Sequence, residues 1–164
     1  IERMKIFGKK LEDFYKWVKG TELVILEDID VKEDPVRPEL TLEWRKEYGR
    51  QIYGLKYEDS IEGVVCVAYT KGVPYSVREL ELMSENANMK SDADTAVAYT
   101  VWSRKRGAGK EIIAKLLEHV QKNTELKRMV TLSPLTPMAT HFHIRNGAKL
   151  IKHNPDTQNF EYKL

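Results

Sequence analysis

The sequence predicts a single domain of the α/β class in its mixed α+β form, and three observations carry that prediction. Strand-like runs such as Thr95-Ala96-Val97-Ala98-Tyr99-Thr100-Val101-Trp102 alternate with segments such as 111–121, where Ile112, Ile113, Leu116, Leu117 and Val120 recur at helical spacing. Two consecutive β-rich runs, 50–57 and 61–70, are separated only by Glu58-Asp59-Ser60, the pattern of an antiparallel hairpin. Finally, the 164 residues suffice for one well-buried core and are too few for two ordinary domains.

In chain order, 8–19 reads as a first helix, with Leu11, Phe14, Tyr15 and Val18 at helical spacing and Gly20 ending it. A strand over 23–29 follows, then the proline-punctuated loop 33–38, then a second helix over 39–48 with Leu40, Trp44 and Tyr48 on one side. After the hairpin, 77–84 fits two patterns: Leu80 and Leu82 alternate with acids as in a strand, yet Glu, Leu and Met favour helix. The polar stretch 86–94 reads as a loop before the strand 95–102. Residues 127–133 form another strand, stopped by Pro134. Thr136 or Ser133 then caps a helix carrying Met138, Ala139, Phe142 and His143 on one side, closed at Asn146-Gly147. Two short strands, 148–152 and 159–163, finish the chain, and neither repeats nor low-complexity tracts interrupt it.

Composition narrows the function classes. With 27 basic against 25 acidic residues the net charge is +2, so no global basic field calls for nucleic acid. The one cysteine, Cys66, lies in an apolar run and reads as a packing residue, which leaves neither a disulfide framework nor a cysteine-rich metal site. His141 and His143 fall on different helix faces, so no metal pair is expected. The sequence shows neither a signal-peptide core nor a membrane-length apolar run, so a cytoplasmic protein without membrane partners is expected. The chain opens on Ile1 rather than methionine, consistent with a trimmed product.

The richest motif is Arg104-Lys105-Arg106-Gly107-Ala108-Gly109-Lys110, placed between the strand 95–102 and the helix 111–121. Two glycines permit a tight turn and close approach of a ligand, while unpaired amides and the positive helix end favour an anion. A P-loop would require glycine at position 104 and serine or threonine at 111, where the chain has Arg104 and Glu111. A dinucleotide fingerprint would require a third glycine where Ile112 stands. A pyrophosphate-bearing ligand fits the turn; a solvated basic turn with a glycine cap is the structural alternative.

Arg104-x-x-Gly107-x-Gly109 resembles the pyrophosphate loop of the GNAT acyltransferase superfamily, Gln/Arg-x-x-Gly-x-Gly/Ala. Downstream, Ala139-Thr140-His141-Phe142-His143-Ile144-Arg145-Asn146-Gly147-Ala148 resembles that superfamily's Ala-x-x-Phe-Tyr-x-x-x-Gly-Phe, with His143 in place of the tyrosine and Ala148 in place of the last phenylalanine. Thr131-Leu132-Ser133-Pro134 with Phe142 to Ala148 also resembles the Thr-Leu-Ser-Pro and Phe-His-Leu-Arg-Asn-Gly-Ala segments of malonyl-CoA decarboxylases, whose catalytic domain is a GNAT fold. That second likeness covers roughly residues 128–150, and those enzymes are longer.

The resemblance implies a mostly antiparallel central sheet flanked by helices, with one parallel strand pair that splays apart. It implies that acetyl-CoA or another acyl-CoA lies in that wedge as co-substrate. Its pyrophosphate would meet Arg104, Lys105, Arg106, Gly107, Ala108, Gly109 and Lys110, and its pantetheine arm the amides around Tyr99, Thr100 and Val101. N-acyl transfer to a small-molecule or peptide amine is the expected reaction, with His143 protonating the leaving thiolate. The alternative is decarboxylation of malonyl-CoA or a malonyl carrier protein by a Ser133/His143 pair, and a CoA-binding module without chemistry comes third. A homodimer stays open. Against these roles, His143 could be a packed histidine, Ser133 a helix cap, Trp44 and Trp102 core residues, and Glu79, Glu81 and Glu85 solvated acids rather than bases for an amine.

Overall fold

The computed structural model describes residues 2–164. Helix α1 (Glu2–Gly20) leads into β1 (Thr21–Ile25), and a 3-10 turn at Val31–Glu33 and the short α2 (Leu42–Lys46) precede the hairpin β2 (Gln51–Tyr57) and β3 (Ser60–Thr70). Then come α3 (Val77–Lys90), β4 (Thr95–Ser103), α4 (Ala108–Asn123), β5 (Arg128–Thr131), β6 (Ser133–Pro134), α5 (Pro137–Arg145), β7 (Lys149–His153) and β8 (Thr157–Tyr162). The strands form one sheet in the order β1-β2-β3-β4-β5-β8-β6, with β7 on β8. Every pairing is antiparallel except β4 with β5, which is the mixed sheet with a parallel pair expected of a GNAT-like fold.

Period-two alternation sorts the sheet residues into two cores. Val65, Val67, Ala96 and Ala98 face α4, whose Ile112, Ile113, Leu116 and Val120 are buried against them. Val64, Cys66, Ala68, Val97 and Tyr99 face the other way, onto Leu80 of α3 and the α2 side, where Trp44 packs and Trp102 is buried. Both tryptophans therefore belong to the packing, and Cys66 is a free buried thiol whose burial pushes its pKa up to about 11.

Several expectations are corrected. Residues 77–84 are helical, and α3 continues to Lys90 through most of the stretch expected to be a loop, because Ser76 caps it and Leu80, Ser84 and Ala87 give it one buried stripe. The second helix shrinks to Leu42–Lys46, capped by Thr41, since Tyr48 and Gly49 adopt positive φ and turn the chain into β2. The first strand ends at Ile25, not Ile29. Helix α1 begins six residues earlier than expected and passes through Gly8, a position open to solvent where glycine costs only helix propensity. Its apolar residues Leu11, Phe14 and Tyr15 are exposed, and Trp17 is enclosed. Among the described residues no helix is long and apolar enough to cross a membrane.

Candidate functional site

The parallel pair β4/β5 is short. Thr95 to Ala98 pair with Arg128 to Thr131, the Leu132 amide donates to the Ala98 carbonyl at 3.0 Å, and the strands then part. Beyond that point β6 turns onto β8, while β4 runs on to Ser103 beside β3 alone. The parting coincides with a bulge: Cys66 is opposite Thr100 and Val67 opposite Ala98, which leaves Tyr99 as the extra residue. The wedge holds a cavity of about 310 Å³, walled by residues 98–103 of β4, by Leu132, Ser133 and Pro134, by Gly109 of α4 and by Met138, Ala139, Phe142 and His143 of α5. Tyr99, Thr100 and Val101, expected to bond a pantetheine arm, all line it.

The glycine turn closes one end. Gly107 caps α4 at φ +90°, a conformation that strains any residue with a Cβ. Helix α4 starts at Ala108, three residues earlier than expected, so Gly109 and Lys110 are in its first turn, where amides lack intrahelical acceptors. Gly109 is fixed by packing, because a Cβ there would come within 2.9 Å of Phe142 Cε1. The charged residues of the motif divide. Arg104 is engaged within the protein: Nη2 and Nε donate to Glu33 Oε2 at 2.6 and 3.0 Å, and its amide donates to the Glu62 carbonyl. Lys105 lies over Trp17, 4.8 Å from the ring centroid. Arg106 and Lys110 are exposed.

Ser133 and His143 share the wedge wall but are bonded elsewhere: Ser133 Oγ pairs with Thr131 Oγ1 at 2.8 Å, and His143 Nδ1 with the Tyr162 hydroxyl at 2.7 Å. Ser133 does not cap α5; Thr136 does, accepting from the Ala139 amide at 3.2 Å. Burial lowers His143 from its ordinary 6.5 to about 4, which favours the neutral ring at pH 7. Tyr162 is itself buried, and burial raises its phenol pKa. Nδ1 is the partner found for that hydroxyl, so the phenol donates to it; the reverse arrangement would leave a buried O–H unpaired. Nδ1 thus accepts, which puts the proton of the neutral ring on Nε2.

Sequence reasoning missed the segment behind the wedge. Arg37, buried, donates through Nε to the Tyr99 carbonyl at 2.9 Å and through Nη2 to the Leu132 carbonyl at 3.0 Å, so one guanidinium spans both strands where they part. Asp34, also buried, accepts from the amides of Val36 and Arg37, from Thr100 Oγ1 at 2.7 Å and from Arg45 Nη1 at 2.7 Å. Arg45 returns to the Arg37 carbonyl at 2.6 Å. Pro35 and Val36, between these anchors, line the cavity. The only hint in the sequence was an aspartate and an arginine inside a proline loop, which composition assigns to solvent.

Neither a protein-family model nor a curated protein sequence matches the chain. Solved structures do. Malonyl-CoA decarboxylase from Rhodopseudomonas palustris superposes with TM-score 0.70 at 17% identity over 93% of this chain, and that from Agrobacterium vitis with 0.69 at 17% over 89%. The chain spans about three fifths of their length, 62% and 61% respectively. A Bacillus subtilis acetyltransferase in complex with CoA superposes with TM-score 0.59 at 13% identity, over 88% of this chain and 99% of its own. What these proteins share with the present chain is the GNAT fold.

Proposed function

We propose that the chain binds an acyl-coenzyme A in the wedge, and that it removes carbon dioxide from a malonyl-type thioester. The observation that carries this reading is the make-up of the wedge wall: of its seventeen lining residues none is aspartate, glutamate, lysine or arginine, while Ser133 and His143 both belong to it. An amine acceptor arrives at neutral pH as an ammonium and needs a base, which such a wall supplies poorly. A malonyl group needs none. Cleavage of its C–C bond releases carbon dioxide and leaves the electron pair on the α-carbon, delocalised onto the thioester oxygen. Amides on the free edge of β4 and the Nε2–H of His143 would meet that oxygen as fixed donors in apolar surroundings. The Ser133 hydroxyl would hold the carboxylate before it leaves. The proton that restores the α-carbon comes from water at the wedge mouth, because a neutral imidazole is a donor of hydrogen bonds and a poor acid.

N-acyl transfer, the first expectation from sequence, is the second reading, supported by the likeness to an acetyltransferase over nearly all of that enzyme's length. Incubation with malonyl-CoA and acetyl-CoA separately, without an acceptor, followed by mass spectrometry, decides between them. Acetyl-CoA formed from malonyl-CoA alone supports decarboxylation. Inert malonyl-CoA, with turnover of acetyl-CoA once amines are added, selects transfer; tight binding without any turnover leaves the module without chemistry.

A further inference from the structure

The flank of α1 beside the glycine turn carries an exposed aromatic face that the packing does not explain. Phe14 Cε2 lies 3.7 Å from the point a Cβ of Gly107 would occupy, and Trp17 Cζ3 lies 3.9 Å from it. The two rings are 5.8 Å apart and tilted by 34°; Trp17 is enclosed and carries the Lys105 ammonium on its face, whereas Phe14 is 53% exposed. Lys10 is one helical turn before Phe14 on the same face, and Arg106 is the residue next to Gly107. An exposed aromatic ring beside the glycine turn, with a lysine one helical turn away and an arginine in the adjoining loop, has the chemistry of a nucleotide subsite.

We propose that Phe14, Lys10 and Arg106 bind the adenosine 3′-phosphate end of coenzyme A, with the adenine stacked on Phe14 and the 3′-phosphate between the two cations. This rests on the coenzyme A reading and extends it: a diphosphate held at residues 105–110 directs its pantetheine arm into the wedge and its nucleoside outward, to the α1 side. It also selects free coenzyme A over a carrier protein as the physiological donor, since a carrier-borne phosphopantetheine has no nucleoside to place there.

Isothermal titration of the wild type, Phe14→Ala, Phe14→Trp and the double variant Lys10→Gln/Arg106→Gln with coenzyme A, dephospho-coenzyme A and 4′-phosphopantetheine tests it. Phe14→Ala should weaken coenzyme A about tenfold, within the range of base–aromatic stacking, and leave 4′-phosphopantetheine unchanged, while Phe14→Trp retains affinity. The double variant should weaken coenzyme A more than it weakens dephospho-coenzyme A, because Arg106 also borders the diphosphate that both ligands carry. Wild-type affinity of Phe14→Ala for coenzyme A, or equal losses for coenzyme A and 4′-phosphopantetheine, overturns the subsite while the wedge reading stands. If the wild type binds none of the three ligands, the coenzyme A reading itself falls, and the subsite with it.

Discussion

Replacing Arg37 by methionine keeps most of the side-chain volume and deletes the guanidinium that spans both splayed strands. Two charge-assisted hydrogen bonds, to the Tyr99 and Leu132 carbonyls at 2.9 and 3.0 Å, are lost together. Each contributes roughly 1.5–3 kcal/mol net. Part of that is offset, because burial of the guanidinium is unfavourable enough to lower its pKa. A net loss of about 3 kcal/mol is expected, and at roughly 2–4 °C per kcal/mol for a chain of this size the main calorimetric transition should fall by about 6–12 °C. Arg106→Met, at an exposed position, is the control and should change stability by less than about 0.5 kcal/mol. Because the guanidinium sets the separation of the strands, the variant should also lose the stabilisation that coenzyme A confers on the wild type. A transition within about 2 °C of wild type would refute the idea that Arg37 pins the wedge; a destabilised variant with undiminished coenzyme A affinity would confine its role to holding the 34–37 segment.

Four further outcomes are expected. Gly107→Val forces a Cβ at φ +90°, and Gly109→Val drives one into Phe142, so each should cost about 1–3 kcal/mol and abolish the coenzyme A-induced rise in Tm seen by thermal shift. The His143 contribution to stability should be flat from about pH 7 to 8 and decline as pH falls toward 4, because in that window the unfolded chain protonates His143 and the folded one does not; a gap of about 2.5 pH units at 1.36 kcal/mol each caps the effect near 3 kcal/mol, and urea titrations of His143→Phe should show that component gone. His143→Phe should lower malonyl-CoA turnover by about a hundredfold, and the wild-type rate should show no basic limb near pH 6.5; such a limb would mark an imidazolium acid instead. Thr136→Ala should cost about 1 kcal/mol through the lost cap, whereas Ser133→Ala should leave the α5 cap intact and slow malonyl-CoA turnover more than tenfold; the opposite pattern in paired melts and assays would return Ser133 to a local structural role.

Much of the fold was legible because its signals are local. The hairpin at 58–60, the β4 alternation and the 3.6-residue period of α4 each follow from a few neighbouring side chains, and the glycine turn between them announces its own backbone demands. What stayed hidden depends on partners far apart in sequence. Arg37 meets residues 62 and 95 positions away, so the loop 33–38 reads as solvated until β4 and β5 are placed around it. The same applies to His143: the motif located it, but Tyr162, which fixes its tautomer, comes from the closing strand, and the burial that lowers its pKa belongs to the assembled core. Helix α1 was legible as a helix from its apolar spacing, but that spacing does not say whether the stripe is covered, and Leu11, Phe14 and Tyr15 are exposed.

The exposure of α1 along residues 2–16 separates its thermodynamics from those of the body. A helical arm that touches the body only near Phe14 melts largely by helix–coil exchange rather than with the core, and fifteen residues is near the length at which such a helix is marginal in water. Heating should therefore give two signals that do not coincide: a shallow early loss of far-ultraviolet ellipticity from the arm, and a later steep change in near-ultraviolet ellipticity when the tryptophans at 17, 44 and 102 lose their surroundings. A single unfolding free energy then describes the body and not the arm. A nucleotide seated against Phe14 would draw the first transition toward the second, so that ligand binding reads out as cooperativity.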